Sequence, residues 1–168
     1  MNKFNTSFIF IGSIILLTAC VRFTFSGASI PEGAKTFTVK YIVNNAPLVN
    51  PTLSQLLTDK LRERIQSQTN LIMVNDGGDL TFEGEITNYV VQPAALQAND
   101  VAALNQLSIT VSIRFDNKID EKQNFSQQFS RYQQFSSSVT LSSVEDMLVE
   151  QIVDDLIDDI FNRAFINW

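Results

Sequence analysis

The chemistry open to this chain is bounded by what its side chains lack. Histidine is absent, so neither a Ser-His-Asp or Cys-His nucleophile nor a His-ligated zinc site can be assembled. Cys20 is the only cysteine, so no intrachain disulfide exists. The carboxylates offer one constellation: Asp154, Asp155, Asp158 and Asp159 place two acidic pairs one turn apart on a helix. Such a set could hold a cation, but a calcium loop with its glycine is missing. Alternation with apolar residues fits a solvated acidic face better. General acid-base work by carboxylates needs a shaped pocket, and no motif points to one. Hence no catalytic residue, no metal and no cofactor are expected, and the chain is read as a non-enzyme. With 12 basic and 18 acidic residues the formal charge is −6. Clustered Lys and Arg, which displace counterions from phosphates, are missing, and nucleic acid is excluded as a partner.

The lone thiol has a telling position. Lys3 precedes an apolar run from Phe8 to Leu17, and Leu17-Thr18-Ala19-Cys20 closes it. That order is the one expected of an export signal. Interrupted by Gly12 and Ser13, the run falls short of the ~20 apolar residues a bilayer span requires. It resembles the lipoprotein signal, where Leu, two small residues and Cys are read by a lipid transferase and then a peptidase. An ordinary secretory signal with a chance cysteine is the alternative. Residues 1–19 are thus expected to be removed, and Cys20 to carry lipid as the first mature residue. Stable anchoring takes at least two acyl chains, which a diacylated thioether and an acylated amine supply. Loss of one Lys and no acid with the signal moves the charge from −6 to −7. An Asp just after the cysteine is the familiar enteric signal for inner-membrane retention; Val21 stands there instead, which favours the outer membrane, on its periplasmic side.

The elements emerge from periodicity. Val21 to Gly33 contains Gly27, Pro31 and Gly33 and reads as part of a tether spanning residues 20–33, leaving 34–168 as one domain. From Thr36 to Val43 the apolar Phe37, Val39, Tyr41 and Val43 alternate with polar residues, as in a half-buried strand, with Ile42 breaking the polar side. Asn50-Pro51 supplies a cap and a first-turn proline for a helix whose Leu53, Leu56, Leu57, Leu61 and Ile65 recur at three and four. Asp76-Gly77-Gly78-Asp79 is a turn. A second strand runs from Leu80 to Val91 with Leu80, Phe82, Gly84, Ile86 and Val90 on one face. A third carries Leu107, Ile109, Val111, Ile113 and Phe115. A fourth carries Phe125, Phe129, Tyr132 and Phe135, whose spacing breaks phase and suggests a bulge. Ser142-Ser143-Val144-Glu145 has the form of a capping box, and a long helix with a wide apolar stripe from Val144 to Phe165 comes next. The order predicts an α+β domain, with two helices packed on one face of a four-stranded mixed, mostly antiparallel β-sheet.

Five stretches stand out beyond the elements: Phe25-Ser26-Gly27-Ala28-Ser29-Ile30-Pro31, Ala46-Pro47-Leu48-Val49-Asn50-Pro51-Thr52-Leu53-Ser54, Phe82-Glu83-Gly84-Glu85-Ile86-Thr87, Leu141-Ser142-Ser143-Val144-Glu145-Asp146 and Ile160-Phe161-Asn162-Arg163-Ala164-Phe165-Ile166-Asn167-Trp168. In order and spacing they are similar to the LptE family of lipopolysaccharide-assembly lipoproteins, in the form found among Bacteroidetes. The resemblance implies a domain inside the barrel of the outer-membrane translocon protein LptD, serving as plug and assembly partner while lipopolysaccharide passes outward, with no reaction catalysed. Lipopolysaccharide itself is a second candidate ligand. Lys60, Arg62, Arg64, Lys118 and Lys122 cannot be placed on the family's basic lipid contacts, and none is carried over.

A plug must present a surface compatible with the polar interior of a large barrel. Thr36, Thr38, Thr81, Thr87, Ser108, Thr110, Ser112, Ser126, Gln128 and Ser130 fall opposite the core and form such a hydroxyl and amide face. Hydroxyls can bond to a polar wall without stranding charge. An ordinary wet sheet face has the same composition. The connection from Gln92 to Ala103, with Leu96, Val101 and the adjoining Leu104 exposed unless covered, is either a partner contact or a loop folded over its own strand ends. The competing function is a free periplasmic lipoprotein that binds a small ligand or another envelope protein through the same face.

Overall fold

The computed structural model describes residues 30–48, 50–94 and 104–166. Cys20, the signal, most of the tether and most of the Gln92 to Ala103 connection lie outside them. Among the described residues, six strands and two long helices run in the order β1 (Thr36–Val39), β2 (Val43–Asn44), α1 (Leu53–Gln68), β3 (Ile72–Met73), β4 (Leu80–Pro93), β5 (Leu104–Asn117), β6 (Phe125–Ser136) and α2 (Leu141–Phe165). The sheet order is β3-β1-β4-β5-β6, with β2 also on β4. β1 and β2 pair with β4 in parallel, since α1 carries the chain back between them, whereas β4, β5 and β6 are antiparallel. The α+β class and the mixed sheet are as expected. The strand count is six rather than four, because one expected strand divides and a two-residue strand succeeds α1.

The division has a local cause. Phe37 and Val39 are buried as predicted, but Ile42 is 1% exposed while Tyr41 and Val43 are 52% and 45% exposed. The Ile42 N–H leaves the ladder and donates to Thr58 Oγ1 on α1 at 3.1 Å. That bond turns Ile42 into the core and shifts the phase of β2 relative to β1. On α1, Leu53, Leu57, Leu61 and Ile65 are fully buried. The expected cap is displaced: the helix begins at Leu53 with Thr52 as its cap residue and no side-chain cap bond, while Asn50 closes a turn just ahead of it, its Oδ1 accepting from the Thr52 amide at 3.1 Å and hydroxyl at 2.9 Å.

The core lies between the two helices and one face of the sheet. Leu107, Ile109, Val111, Ile113 and Phe115 of β5 are all fully buried, as their alternation demands. The Phe82 and Phe115 ring centroids are 4.8 Å apart, and Phe165 of α2 sits 6.1 Å from Phe82. Gly84 belongs to this face: a Cβ there would lie 2.5 Å from Ile113 Cδ1 and 2.8 Å from the Ser112 carbonyl.

Two phase readings are corrected. The bulge is in β4, where pairing passes from Ile86 with Val111 to Asn88 with Thr110. The extra residue, Thr87, sends Tyr89 into the core at 5% exposure and Val90 to the opposite face. β6, by contrast, pairs with β5 without a shift from Phe125 to Ser136. Its apparent irregularity arises because Gln127, Arg131 and Gln133 share the inner side with Phe129 at an edge where the core ends. Tyr132 is then an outer-face residue, 55% exposed.

Candidate docking face

The outer sheet face is built from the strand positions that alternate with the core. Register sets Thr81 beside Asp116, Glu83 beside Arg114, Glu85 beside Ser112, Asn88 beside Thr110 and Val90 beside Ser108. Across the next seam, Ser108 faces Tyr132, Thr110 faces Ser130, Ser112 faces Gln128 and Arg114 faces Ser126. The helices lie on the other side, so among the described residues this face is uncovered. Its centre is a hydroxyl field: Thr110 Oγ1 and Ser130 Oγ are 3.0 Å apart, and Thr87 Oγ1 donates to the Thr110 carbonyl at 3.3 Å. At one end Lys40 pairs with Glu83 at 2.5 Å and Arg114 with Asp116 at 2.9 Å, while Glu85 accepts from Asn45 Nδ2 at 2.6 Å. Each pair raises the pKa of its cation, through hydrogen bonding and then charge. Tyr41 and Val43 flank an open depression there with Glu83, Glu85 and Arg114.

Thr36 and Thr38 are removed from the expected face. Thr38 is fully buried; its Oγ1 donates to the Val74 carbonyl and accepts from the Gly78 amide, both at 3.1 Å. Thr36 Oγ1 donates to Asp79 Oδ2 at 2.8 Å, which also accepts the Lys35 and Thr36 amides at 2.9 Å. The turn before β4 folds over β1 and occupies these hydroxyls. Gly78 permits it, since a Cβ there would lie 2.7 Å from the Phe37 carbonyl carbon. The remaining threonines, serines and glutamine expected on the face are on it.

The acidic quartet is dispersed rather than gathered. Asp154 accepts from Lys60 at 2.6 Å, Asp158 pairs with Arg64, Arg131 grips Asp159 at 2.6 and 2.5 Å, and Gln133 reaches Asp155 at 3.4 Å. Asp154, Asp155 and Asp158 are exposed and Asp159 half-buried, as a solvated acidic face requires, and within that face two of the four reach α1 and two reach β6. Burial by itself lowers the Lys60 pKa, but Asp154 and Glu150 outweigh it and the net shift is upward. No three potential metal-ligating side chains converge among the described residues. Of the other cations named above, Arg62 donates to the Val39 carbonyl at 3.0 Å and Lys118 to the Gly77 carbonyl at 2.8 Å, while Lys122 is exposed.

One polar cluster escaped the sequence reading. Glu145 does not close a capping box; α2 begins at Leu141, and its cap residue Thr140 makes no side-chain cap bond. Glu145 Oε1 accepts instead from the Tyr89 hydroxyl at 2.5 Å and from Asn50 Nδ2 at 3.0 Å. Burial and then the carboxylate push the Tyr89 phenol above its ordinary pKa. This joint ties the start of α2 to the β4 bulge and to the entry of α1. The bulge, which no local pattern betrays, is what brings Tyr89 there.

Residues 34–164 match the family model described as LptE, lipopolysaccharide-assembly. No curated protein matches the sequence. Among solved structures, a minor lipoprotein from Acinetobacter baumannii superposes with a TM-score of 0.51 at 15% identity, over 77% of this chain and 91% of that one. A Xanthomonas campestris protein gives 0.56 at 12% identity, over 81% and 86%. A hypothetical protein from Chlamydia trachomatis gives 0.53 at 7%, over 80% and 99%. At such identities these likenesses speak for the fold alone.

Proposed function

The chain belongs to the LptE, lipopolysaccharide-assembly, family, and from that premise we propose that it is a lipid-anchored outer-membrane lipoprotein that docks inside an LptD-like β-barrel, as plug and assembly partner of the translocon that delivers lipopolysaccharide. Cys20 carries the lipid, and residues 20–33 tether the domain to the periplasmic side of the membrane. The role is one of binding and support, without catalysis.

The observation that carries this reading is the uncovered hydroxyl and amide face across β4, β5 and β6, backed by a complete core on its other side. Barrel interiors are polar, and on this face Lys40, Glu83, Arg114 and Asp116 are already paired while Glu85 accepts from Asn45 Nδ2 at 2.6 Å, so it can meet such a wall with little uncompensated charge. Because Lys60, Arg62, Arg64 and Lys118 all bond within the domain, the face, rather than a basic patch, is the surface offered to a partner.

The test is to extract tagged protein from host outer membranes in mild detergent and identify what accompanies it. A large β-barrel in equal amount is expected. Recovery of the lipoprotein alone, under conditions that keep other barrel complexes intact, refutes the docking role and favours a free envelope lipoprotein.

A further inference from the structure

β6 ends the sheet on one side, with no strand beyond it among the described residues. It pairs with β5 from Phe125 to Ser136 without a bulge, so its outward amides and carbonyls form one straight row. Natural edges are blunted by shortness, lysine, proline, bulges or inward charge, or else they are covered. The opposite edge of this sheet is blunted, since β3 has two residues. β6 has 12, with no Pro, Gly, Lys, Asp or Glu, and its one charge, Arg131, is held by Asp159. Alongside it an open groove runs from Gln127 to Arg131, floored by Asp159, Asn162 and Arg163 of α2. A strand lying there finds backbone partners on one side and a bed for its side chains beneath.

The chain itself holds a segment of the right kind. Ahead of Gly27, Val21, Phe23 and Phe25 alternate with Arg22, Thr24 and Ser26, a two-residue period in residues that favour strands. The described chain begins at Ile30, which packs against the core. Just beyond, the Ala34 amide donates to the Pro31 carbonyl at 3.1 Å in a turn that has Gly33 at a φ of 99°. A Cβ on Gly33 would lie 3.8 Å from Ile119 Cγ2. Ile119 stands between β5 and β6, so the chain enters at the end of the sheet where β6 begins. A place beyond β6 is about two strand spacings, ~10 Å, from the end of β5, and residues 26 to 30 can span ~14 Å. β3 lies across β4 and β1 from that entry and is too short to take six residues. A segment running toward Ile30 along β6 must oppose it, because β6 runs away from that end.

We propose that residues 21–26 pair antiparallel with the edge of β6, with Phe23 opposite Phe129, and extend the sheet by one strand. That register lays Val21, Phe23 and Phe25 over the length of the groove, opposite Arg131, Phe129 and Gln127. On the outer face it sets Arg22, Thr24 and Ser26 opposite Ser130, Gln128 and Ser126, so the hydroxyl face widens by a strand. Opposed residues fall on the same face, as an antiparallel ladder requires. Cys20, one residue further, is then held beside the β6 edge. Pairing requires neither lipid nor barrel, so it stands or falls separately from the translocon role.

Paired cysteines in the full-length protein, made in its host envelope, test contact and register together. Directly opposed Cβ atoms lie ~4.5–5.5 Å apart, close to disulfide range. Thr24→Cys with Gln128→Cys is expected to give an intrachain disulfide under mild oxidation. Trypsin then releases residues 23–35 linked to residues 123–131, a product free of Cys20, since cleavage follows Arg22, Lys35, Lys122 and Arg131. Thr24→Cys with Ile72→Cys, on the opposite edge, is expected to give at least tenfold less bridge, and Thr24→Cys or Gln128→Cys alone none. Adding Phe23→Ser and Phe25→Ser removes the apolar side of the segment and is expected to cut the bridge from 24 to 128 at least tenfold, with protease resistance of the domain unchanged. Three results overturn the proposal: no bridge although the double variant accumulates, a bridge undiminished when Phe23 and Phe25 are replaced, or linkage of position 24 to another chain in place of position 128.

Discussion

A carboxylate settles where its donors are, and Glu145 and Asp79 each organise a joint in this domain. Tyr89, at 5% exposure, donates its hydroxyl to Glu145, so Glu145→Ala leaves a buried donor without an acceptor. An orphaned buried group costs about 1–3 kcal/mol; urea unfolding should show a loss in that range. Tyr89→Phe removes donor and need together, leaves Asn50 on the carboxylate, and should cost no more than about 1 kcal/mol. The two variants also differ in alkali. Because the folded-state phenol titrates above its unfolded value near 10, the folded form retains a proton the unfolded form releases. Stability present below pH ~10 is therefore lost as pH rises through the folded value, and Tyr89→Phe should show a shallower alkaline decline than wild type. Asp79 behaves in the opposite sense: the Lys35 amide, then the Thr36 hydroxyl and amide, hold its carboxyl below the usual range. Its contribution is present above the unfolded value of about 3.9 and disappears as pH falls through the lower folded value. Asp79→Asn should reduce stability at neutral pH by about 1–2 kcal/mol and flatten the acid limb below pH ~4, which thermal melts across pH will show.

At the scale of elements, the sequence was most legible where one physical demand acted alone. β5 alternates cleanly because its whole length lies between helices on one side and water on the other. Leu53, Leu57, Leu61 and Ile65 of α1 answer only to the core. Legibility failed where a tertiary bond overrode a local pattern. Ile42 is turned inward by Thr58, which is 16 residues away. Tyr89 and Val90 exchange faces because of a bulge whose cause lies in pairing with β5. Ser142 to Glu145 had the spacing of a cap, yet Tyr89 and Asn50, 56 and 95 residues distant, offered the carboxylate buried donors. The polar outer face was read correctly from alternation along β4, β5 and β6, and lost Thr36 and Thr38 only because a turn unseen in periodicity folds over them. Gly84 gives the sheet its own test. A Cβ there meets the Ser112 carbonyl, which is backbone and cannot swing aside, as well as the flexible end of Ile113. Gly84→Ala should therefore push β4 from β5 locally and cost about 1–3 kcal/mol, the range for forced overpacking. Denaturant melts will register the loss, and faster amide exchange confined to residues around 84 and 112 will locate it.

For the whole molecule, the proposed function gives one domain two attachments, and they can be separated. No helix among the described residues is long and apolar enough to cross a membrane; in the proposed function, retention by the bilayer rests on lipid at Cys20 and retention by a partner on the outer sheet face. If both operate, each alone should leave a distinct fraction. When residues 1–19 are replaced by an ordinary cleavable signal and Cys20 by Ser, the domain keeps its core and loses its acyl chains, since the described core begins beyond the tether. In a host carrying the barrel partner, a share of this protein equal to the number of barrels should still sediment with outer membranes, held by docking. In cells depleted of the barrel, nearly all of it should move to the soluble periplasmic fraction. The lipidated parent should stay with the membrane in both. Tight membrane binding of the Cys20→Ser protein without the barrel would mean that some surface beyond the lipid holds the bilayer. Complete solubility even with the barrel present would mean that the face binds too weakly to act unless lipid first confines it to the membrane plane, where its effective concentration is raised.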